Sequence, residues 1–262
     1  MSQRGDILLL HGAFVGGWVF ERLRAQLSHL GWRTHAPDLP LHGPEQAGAS
    51  PDADLARHGL AEYREALEAE IARLPQKPVL IGHSLGGLLA QQLAARDLCR
   101  AAILLAPVAP WGVLPGSLHE VGTGVNMLLQ GGAIWRKPLP PDAALAVQYS
   151  MDKLPPALQR DACTRLVPES GRAIFEAMLW WLDWHAASHV SFHRVRCPLL
   201  VLTGSDDQVT PAATGRAIAG KYPGRAVFRE MPGMSHFLFG EPREAALFQA
   251  CADWLADLPP AE

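Results

Sequence analysis

The 262-residue chain has only four cysteines, Cys99, Cys163, Cys197 and Cys251, with no CxxC pair and no Cys/His cluster. That spacing excludes a zinc knuckle and argues against a disulfide framework. Positive charge is not in excess either: 23 Lys and Arg stand against 26 Asp and Glu, a formal net charge of -3. A nucleic-acid-binding surface or a polybasic membrane anchor needs the opposite balance. No stretch approaches the ~18 uninterrupted apolar residues of a membrane span. The N-terminal apolar run, Ile7 to Leu10, is too short for a signal peptide and has no small-residue cleavage site behind it. There is no GxGxxG after that run, no P-loop and no metal-spaced cluster, so NAD, ATP and zinc are not expected. The expectation is a soluble, cytoplasmic monomer or homodimer that uses no cofactor and meets neither nucleic acid nor a membrane.

What is present can bury a sizeable core: 48% of residues are hydrophobic and 19% charged, with 24 Gly and 22 Pro as punctuation. Short apolar runs bounded by Gly, Pro or Asp predict strands at Ile7–Leu10, Arg33–Ala36, Pro78–Ile81, Ala102–Leu105, Leu199–Thr203 and Ala226–Glu230. Such runs read as parallel strands buried on both faces. Between them lie helical stripes: Phe20, Leu23, Leu27 and Leu30; Leu60, Tyr63, Leu67, Ile71 and Leu74; Leu247, Cys251, Leu255 and Leu258. Strand–helix–strand alternation with right-handed crossovers implies an α/β fold, a doubly wound and mostly parallel sheet of about six strands.

The alternation stops between about Pro107 and His193, where no strand is evident. The clearest element there is a helix predicted over Gly171–Ser188. Ile174, Met178 and Trp181 share one face, Phe175, Leu179 and Leu182 another, and Trp180 and Trp184 form a third strip. A helix so apolar around its circumference is expected to be covered on more than one side. The simplest arrangement is a core of residues 1–106 and 194–262 with a helical cap, 107–193, over the C-terminal edge of the sheet, where such sheets bind ligands.

The strongest local signal is Gly82-His83-Ser84-Leu85-Gly86-Gly87, which follows a strand and opens a helical pattern. A sharp strand-to-helix turn lifts a serine Oγ clear of the sheet, and its tight backbone demands small neighbours such as Gly82 and Gly86. The helix N-terminus then aims N–H groups at charge developing on a substrate. A nucleophilic serine also needs a base and an orienting carboxylate. Two strand-end loops offer them: Gly204-Ser205-Asp206-Asp207-Gln208-Val209-Thr210-Pro211 and Met231-Pro232-Gly233-Met234-Ser235-His236-Phe237.

With HGAFVGGWVF (11–20), PDLPLHG (37–43), GHSLGG (82–87), GSDDQVTP (204–211) and GMSHFLFGEP (233–242) in this order, the chain resembles an α/β-hydrolase-fold serine hydrolase over nearly its whole length. Its early first strand, and HGA followed by GGW, resemble the plant methyl-esterase and hydroxynitrile lyase branch and its bacterial relatives. The resemblance implies Ser84 as nucleophile, His236 as base and Asp207 as acid. The family pattern G-x-x-D selects Asp207 over Asp206. It also implies the backbone N–H groups of Leu85 and Ala13 as oxyanion donors. Lyase relatives carry Lys directly after the catalytic His and Thr after the first His, whereas here those positions hold Phe237 and Gly12.

The other histidines read as structural. His11 is expected to support the oxyanion turn, His83 to pack or hydrogen-bond, and His35 and His42 to brace a Pro-rich turn. His185, His189 and His193 would line one helical face, but no carboxylate or thiolate completes a metal set. The cap tryptophans Trp111, Trp135, Trp180, Trp181 and Trp184 are expected to be mostly core. Candidates for an apolar substrate pocket are Phe14, Trp18, Trp181 and Phe237. The expected activity is cleavage of the carboxylic ester of a small or medium apolar molecule through an acyl-enzyme. A thioester, lactone or carbon–carbon bond is the alternative, and a non-catalytic ligand receptor a weaker one.

Overall fold

The computed structural model describes residues 4–114 and 132–259; residues 115–131 of the expected cap lie outside the described residues. The strands are β1 (Asp6–Leu10), β2 (Arg33–His35), β3 (Val79–His83), β4 (Ala101–Leu105), β5 (Pro138–Leu139), β6 (Glu169–Ser170), β7 (Leu199–Gly204) and β8 (Ala226–Met231). The main helices are α1 (Glu21–His29), α2 (Leu60–Ala72), α3 (Leu85–Ala94), α4 (Pro156–Thr164), α5 (Gly171–Met178), α6 (Ala212–Gly220) and α7 (Glu244–Ala256). Six strands form one sheet in the order β2-β1-β3-β4-β7-β8, every pair parallel. Each strand expected from the sequence is there, within two residues at either end.

The two-residue period of a strand sorts its side chains onto opposite faces. Ile7, Leu9, Ile81, Ile103, Leu200 and Leu202 pack with Leu23 and Leu27 of α1 and Leu247 and Cys251 of α7. Their neighbours Leu8, Leu10, Leu80, Leu104, Leu199 and Val201 pack on the other face with residues of α2, α3 and α6. The helical stripes therefore supply the two outer layers of a three-layer sandwich. Burial on both faces holds for β1, β3, β4 and β7 but not for β2 and β8, which are partly exposed. Both are edge strands, with a covering neighbour on one side only.

The chain leaves β1 toward β2, then returns to place β3 on the other flank of β1. The loops after β1 and β3 thus diverge at one point of the C-terminal edge, the place where doubly wound sheets bind ligands.

The segment between β4 and β7 departs from expectation. It contains an antiparallel pair, β5 with β6, registering Pro138 with Ser170 and Leu139 with Glu169. Two residues are too few to show a period in the sequence. The helix expected over Gly171–Ser188 is capped by the Ser170 hydroxyl, which accepts from Ala173 N at 3.2 Å, but it ends at Met178. A 3₁₀ turn, Trp180–Leu182, follows. The Asp183 carboxylate then accepts from His185 N and Ala187 N at 3.0 and 2.7 Å, an alternative to helical bonding that aspartate readily supplies. As a result His185, His189 and His193 do not share a helical face. The apolar strips are not covered on all sides: Trp184 is 95% exposed and Leu182 50%, while Trp111, Trp135 and Trp181 are each about two-fifths exposed.

Among the described residues no helix is long and apolar enough to cross a membrane, and no group of three or more His, Cys, Asp or Glu is placed to hold a metal ion.

Ile103 lies fully buried in central β4. Ile103→Ala should cost about 2–5 kcal/mol of stability. The check is urea unfolding, where the midpoint should fall and the slope stay unchanged.

Candidate active site

Ser84 sits between β3 and α3 with φ 54° and ψ −116°, a left-handed backbone for a residue with a Cβ. Strain of this kind costs on the order of 1–3 kcal/mol and persists only where surrounding contacts enforce it. Here the Ser84 N–H donates to Leu105 O at 2.9 Å, and the Ser84 carbonyl accepts from Gly87 N at 2.9 Å and Val108 N at 3.1 Å. The turn also needs bare backbone around it. A Cβ on Gly82 would overlap the Gly86 carbonyl, and one on Gly86 would overlap the Leu10 carbonyl. Leu85 is the first residue of α3, so its N–H lacks an intrahelical acceptor.

The loops after β7 and β8 are tied side by side, with Ser205 N donating to Met231 O and Asp206 N to Met234 O, both at 3.0 Å. This brings His236 between Ser84 and Asp207. His236 Nε2 lies 3.0 Å from Ser84 Oγ, and Nδ1 lies 3.1 and 3.0 Å from the two carboxylate oxygens of Asp207. Asp207 Oδ1 accepts from Val209 N and Thr210 N, each at 2.8 Å. Thr210 Oγ1 stands 3.0 Å from Asp207 Oδ2, 2.9 Å from Ala106 O and 3.2 Å from His236 Nδ1. Asp206 points away. It is exposed and meets Lys153 Nζ at 2.9 Å, and the Lys153 ammonium holds its carboxyl below the usual range.

The turn after β1 carries Ala13 and Phe14, the latter at φ 62°. His11 braces it as expected. Its Nε2 accepts from Leu39 N at 2.9 Å, so Nδ1 carries the proton and donates to Gly12 O at 2.8 Å. Burial first, and then the charge of His42, push the His11 imidazolium down to about 3. His83 donates from Nε2 to His236 O at 2.9 Å, which pins the loop that carries the imidazole. Burial and the neighbouring His236 likewise lower its pKa to about 3. Gly12 lies close beneath, where a Cβ would stand 3.0 Å from Ser84 Cβ and 3.2 Å from His83 Nδ1.

Of the aromatic candidates, Phe14 and Trp18 are half-buried and Phe237 is buried. Trp18 and Phe237 meet with ring centroids 6.2 Å apart, Arg165 lies over the Trp18 ring at 4.4 Å, and Phe237 packs on against Phe239. Trp181 instead joins Trp180 and, through it, Trp111.

Three polar side chains at the site carry no sequence signal of their own. Thr210 reads as an ordinary turn residue. Glu241 is buried and accepts from Ser235 N at 3.0 Å, Ser235 Oγ at 2.6 Å and Leu238 N at 3.0 Å, gripping the His236 loop from below. Its burial raises its pKa more than these bonds lower it. Glu169, remote in sequence, accepts from Phe14 N at 3.3 Å.

Residues 7–247 match the model of the alpha/beta hydrolase family. The chain is 26% identical over 264 residues to a pyrethroid hydrolase of Sphingobium wenxiniae, covering 97% of this chain and 88% of the relative. It is 28% identical over 252 residues to a pimeloyl-[acyl-carrier protein] methyl ester esterase of Chromobacterium violaceum, covering 91% and 90%. The solved structure of a methylesterase from Arabidopsis superposes with a TM-score of 0.71 at 18% identity, covering 97% of this chain and 99% of that one, a likeness of fold. With nearly its whole length matched, this chain belongs to the alpha/beta hydrolase family.

Proposed function

We propose that the chain is a serine hydrolase that cleaves carboxylic esters through an acyl-enzyme. The observation that carries this reading is the unbroken hydrogen-bonded line from the Asp207 carboxylate through His236 to Ser84 Oγ, with 3.0 Å at the serine. Asp207 accepts from Nδ1 and so leaves Nε2 free to take the Ser84 proton as Oγ attacks the ester carbonyl. The N–H groups of Ala13 and Leu85 receive the oxyanion, and His236 returns the proton to the departing alcohol. Water activated by the same imidazole then releases the acid.

His11 acts at one remove from this chemistry. The Gly12 carbonyl that it holds shares a peptide plane with the Ala13 N–H, so the ring sets the direction of that donor. A carboxylic ester is favoured over a thioester, lactone or carbon–carbon bond because one relative matched over most of its length is named a methyl ester esterase and another a hydrolase.

Residues 107–193 act as the cap on a core of 1–106 and 194–262. In support, Ser150 O accepts from Phe237 N at 3.0 Å and Val167 N donates to Phe14 O at 3.0 Å, so this segment touches both loops flanking Ser84. Phe14, Trp18 and Phe237 would offer a small or medium apolar group its contacts, whereas Trp181 packs apart with Trp180.

With aryl esters of graded acyl length, Ser84→Ala should lose at least about 10³-fold in kcat while remaining folded. Substantial residual turnover would refute the assignment. Asp207→Asn should lose on the order of 10³- to 10⁴-fold, whereas Asp206→Asn should stay within about twofold, since its exposed ion pair contributes little. An unimpaired Asp207→Asn would move the acid elsewhere.

His11 and His83 are neutral when folded but protonate near 6.5 when unfolded. The unfolded state therefore binds more protons as pH falls, and stability should decline from about pH 6.5 toward 3. Histidine ¹⁵N NMR at pH 5 should find both rings still neutral.

A further inference from the structure

Glu169 is fully buried, and four donors converge on it from four parts of the chain. Oε1 accepts from Tyr63 Oη of α2 at 2.6 Å and from Ser170 N of β6 at 2.7 Å. Oε2 accepts from His42 Nε2 at 3.1 Å and from Phe14 N of the turn after β1 at 3.3 Å. The Phe14 and Ser170 N–H groups can only donate, and although burial opposes it, the charge and hydrogen bond of His42 with the other donors hold the Glu169 carboxyl below the usual range, so Glu169 is ionised. His42 shows the converse pattern. Its Nδ1 faces the Pro40 carbonyl at 2.8 Å and its Nε2 faces Glu169, two acceptors that together call for the doubly protonated ring.

The result is a buried imidazolium–carboxylate pair. The groups facing it are His11, with its ring 5.4 Å from that of His42, Tyr63, with its ring 5.5 Å away, and the charge of Asp38. Burial alone would lower the pKa of His42 and raise that of Glu169; their mutual charge and hydrogen bonds reverse both directions.

This pair abuts the turn that carries Ala13. Phe14 is held at a left-handed φ of 62° by both of its backbone groups, its N–H by Glu169 and its carbonyl by Val167 N at 3.0 Å. Both holders come from the segment between β4 and β7. From the other side, His11 fixes the Gly12–Ala13 peptide. The conformation of Ala13 is thus gripped at both ends.

We infer that Glu169, kept in place by His42 and Tyr63, is a positioning residue that aims the Ala13 N–H at the developing oxyanion. The inference rests on the ester-hydrolase reading above. An acceptor that shapes the oxyanion turn acts mainly in the transition state, so its loss reduces kcat and leaves KM nearly alone.

The test compares wild type, Glu169→Gln and Tyr63→Phe in the full chain, each measured with an aryl ester and with an arylboronic acid that forms a tetrahedral adduct on Ser84. Glu169→Gln should lower kcat roughly 10- to 100-fold, with KM within about threefold, and weaken boronate binding by a similar factor. Tyr63→Phe, which removes one of the four donors, should show the same split at about two- to fivefold.

Unchanged kcat and boronate affinity in both variants, or a rise in KM alone, would overturn the inference. If Glu169→Gln does not fold, Tyr63→Phe decides by the same criteria. If wild type turns over no aryl ester, the ester-hydrolase reading fails, while the boronate comparison still decides the role of Glu169.

Discussion

At the start of α3, three backbone segments meet with almost nothing between them, and the rest of the site depends on that approach. Gly82 and Gly86 let the carbonyls of Gly86 and Leu10 come within the space a methyl group would fill. Only under that compression does Ser84 stay at φ 54°, with its hydroxyl turned outward from the sheet end. The strain is borne by a rigid neighbour: the Ser84 N–H is tied to Leu105 at the end of β4. Each further partner is placed relative to this fixed point. Gly12 repeats the device from the β1 side, and Gly204, whose Cβ would overlap the Met234 carbonyl, repeats it under the His236 loop.

Apolar packing buries Val15 of the first loop and Met234, Phe237 and Leu238 of the His236 loop, but it gives the backbone no direction, which polar contacts supply. Asp207 is turned toward His236 by two amides and a hydroxyl, Glu241 holds Ser235 and Leu238, and Glu169 holds Phe14. Buried carboxylates suit this task because each offers several acceptor directions to backbone N–H groups that water cannot reach. At Glu169 the donors and the charge of His42 outweigh the hazard of burying charge, whereas at Glu241 burial prevails.

The six strands, their layering and the order of Ser84, Asp207 and His236 were legible because each rests on local pattern: an apolar run, a helical stripe, a glycine-flanked serine. The choice of Asp207 over Asp206 came from the family pattern that the chain resembles; in the structure Asp207 faces His236 while Asp206 faces Lys153. Contacts that join distant parts of the chain were not legible. Glu169 reaches Phe14 across 155 positions, and nothing near either residue announces the other. The segment before β7 misled for a different reason. The apolar spacing from Gly171 to Ser188 fits a helix, but the helix ends at Met178, a 3₁₀ turn follows, and Asp183 then takes the N–H groups of His185 and Ala187, leaving Trp184 in solvent. The edge strands misled in a milder way, because an apolar run does not reveal whether a strand has one neighbour or two.

β4 ends at Leu105 and β7 begins at Leu199, yet the two are direct neighbours, Ala102 registering with Leu199. Everything between them is, to the sheet, a single closed loop. The entropy of closing a loop grows only with the logarithm of its length, about 0.6 kcal/mol per doubling. The segment can therefore lengthen, shorten or be replaced at little thermodynamic penalty to β4–β7 pairing, provided that its few anchoring contacts re-form. The residues on the strand ends and the segment that joins β4 to β7 are, in this sense, free to evolve at different speeds.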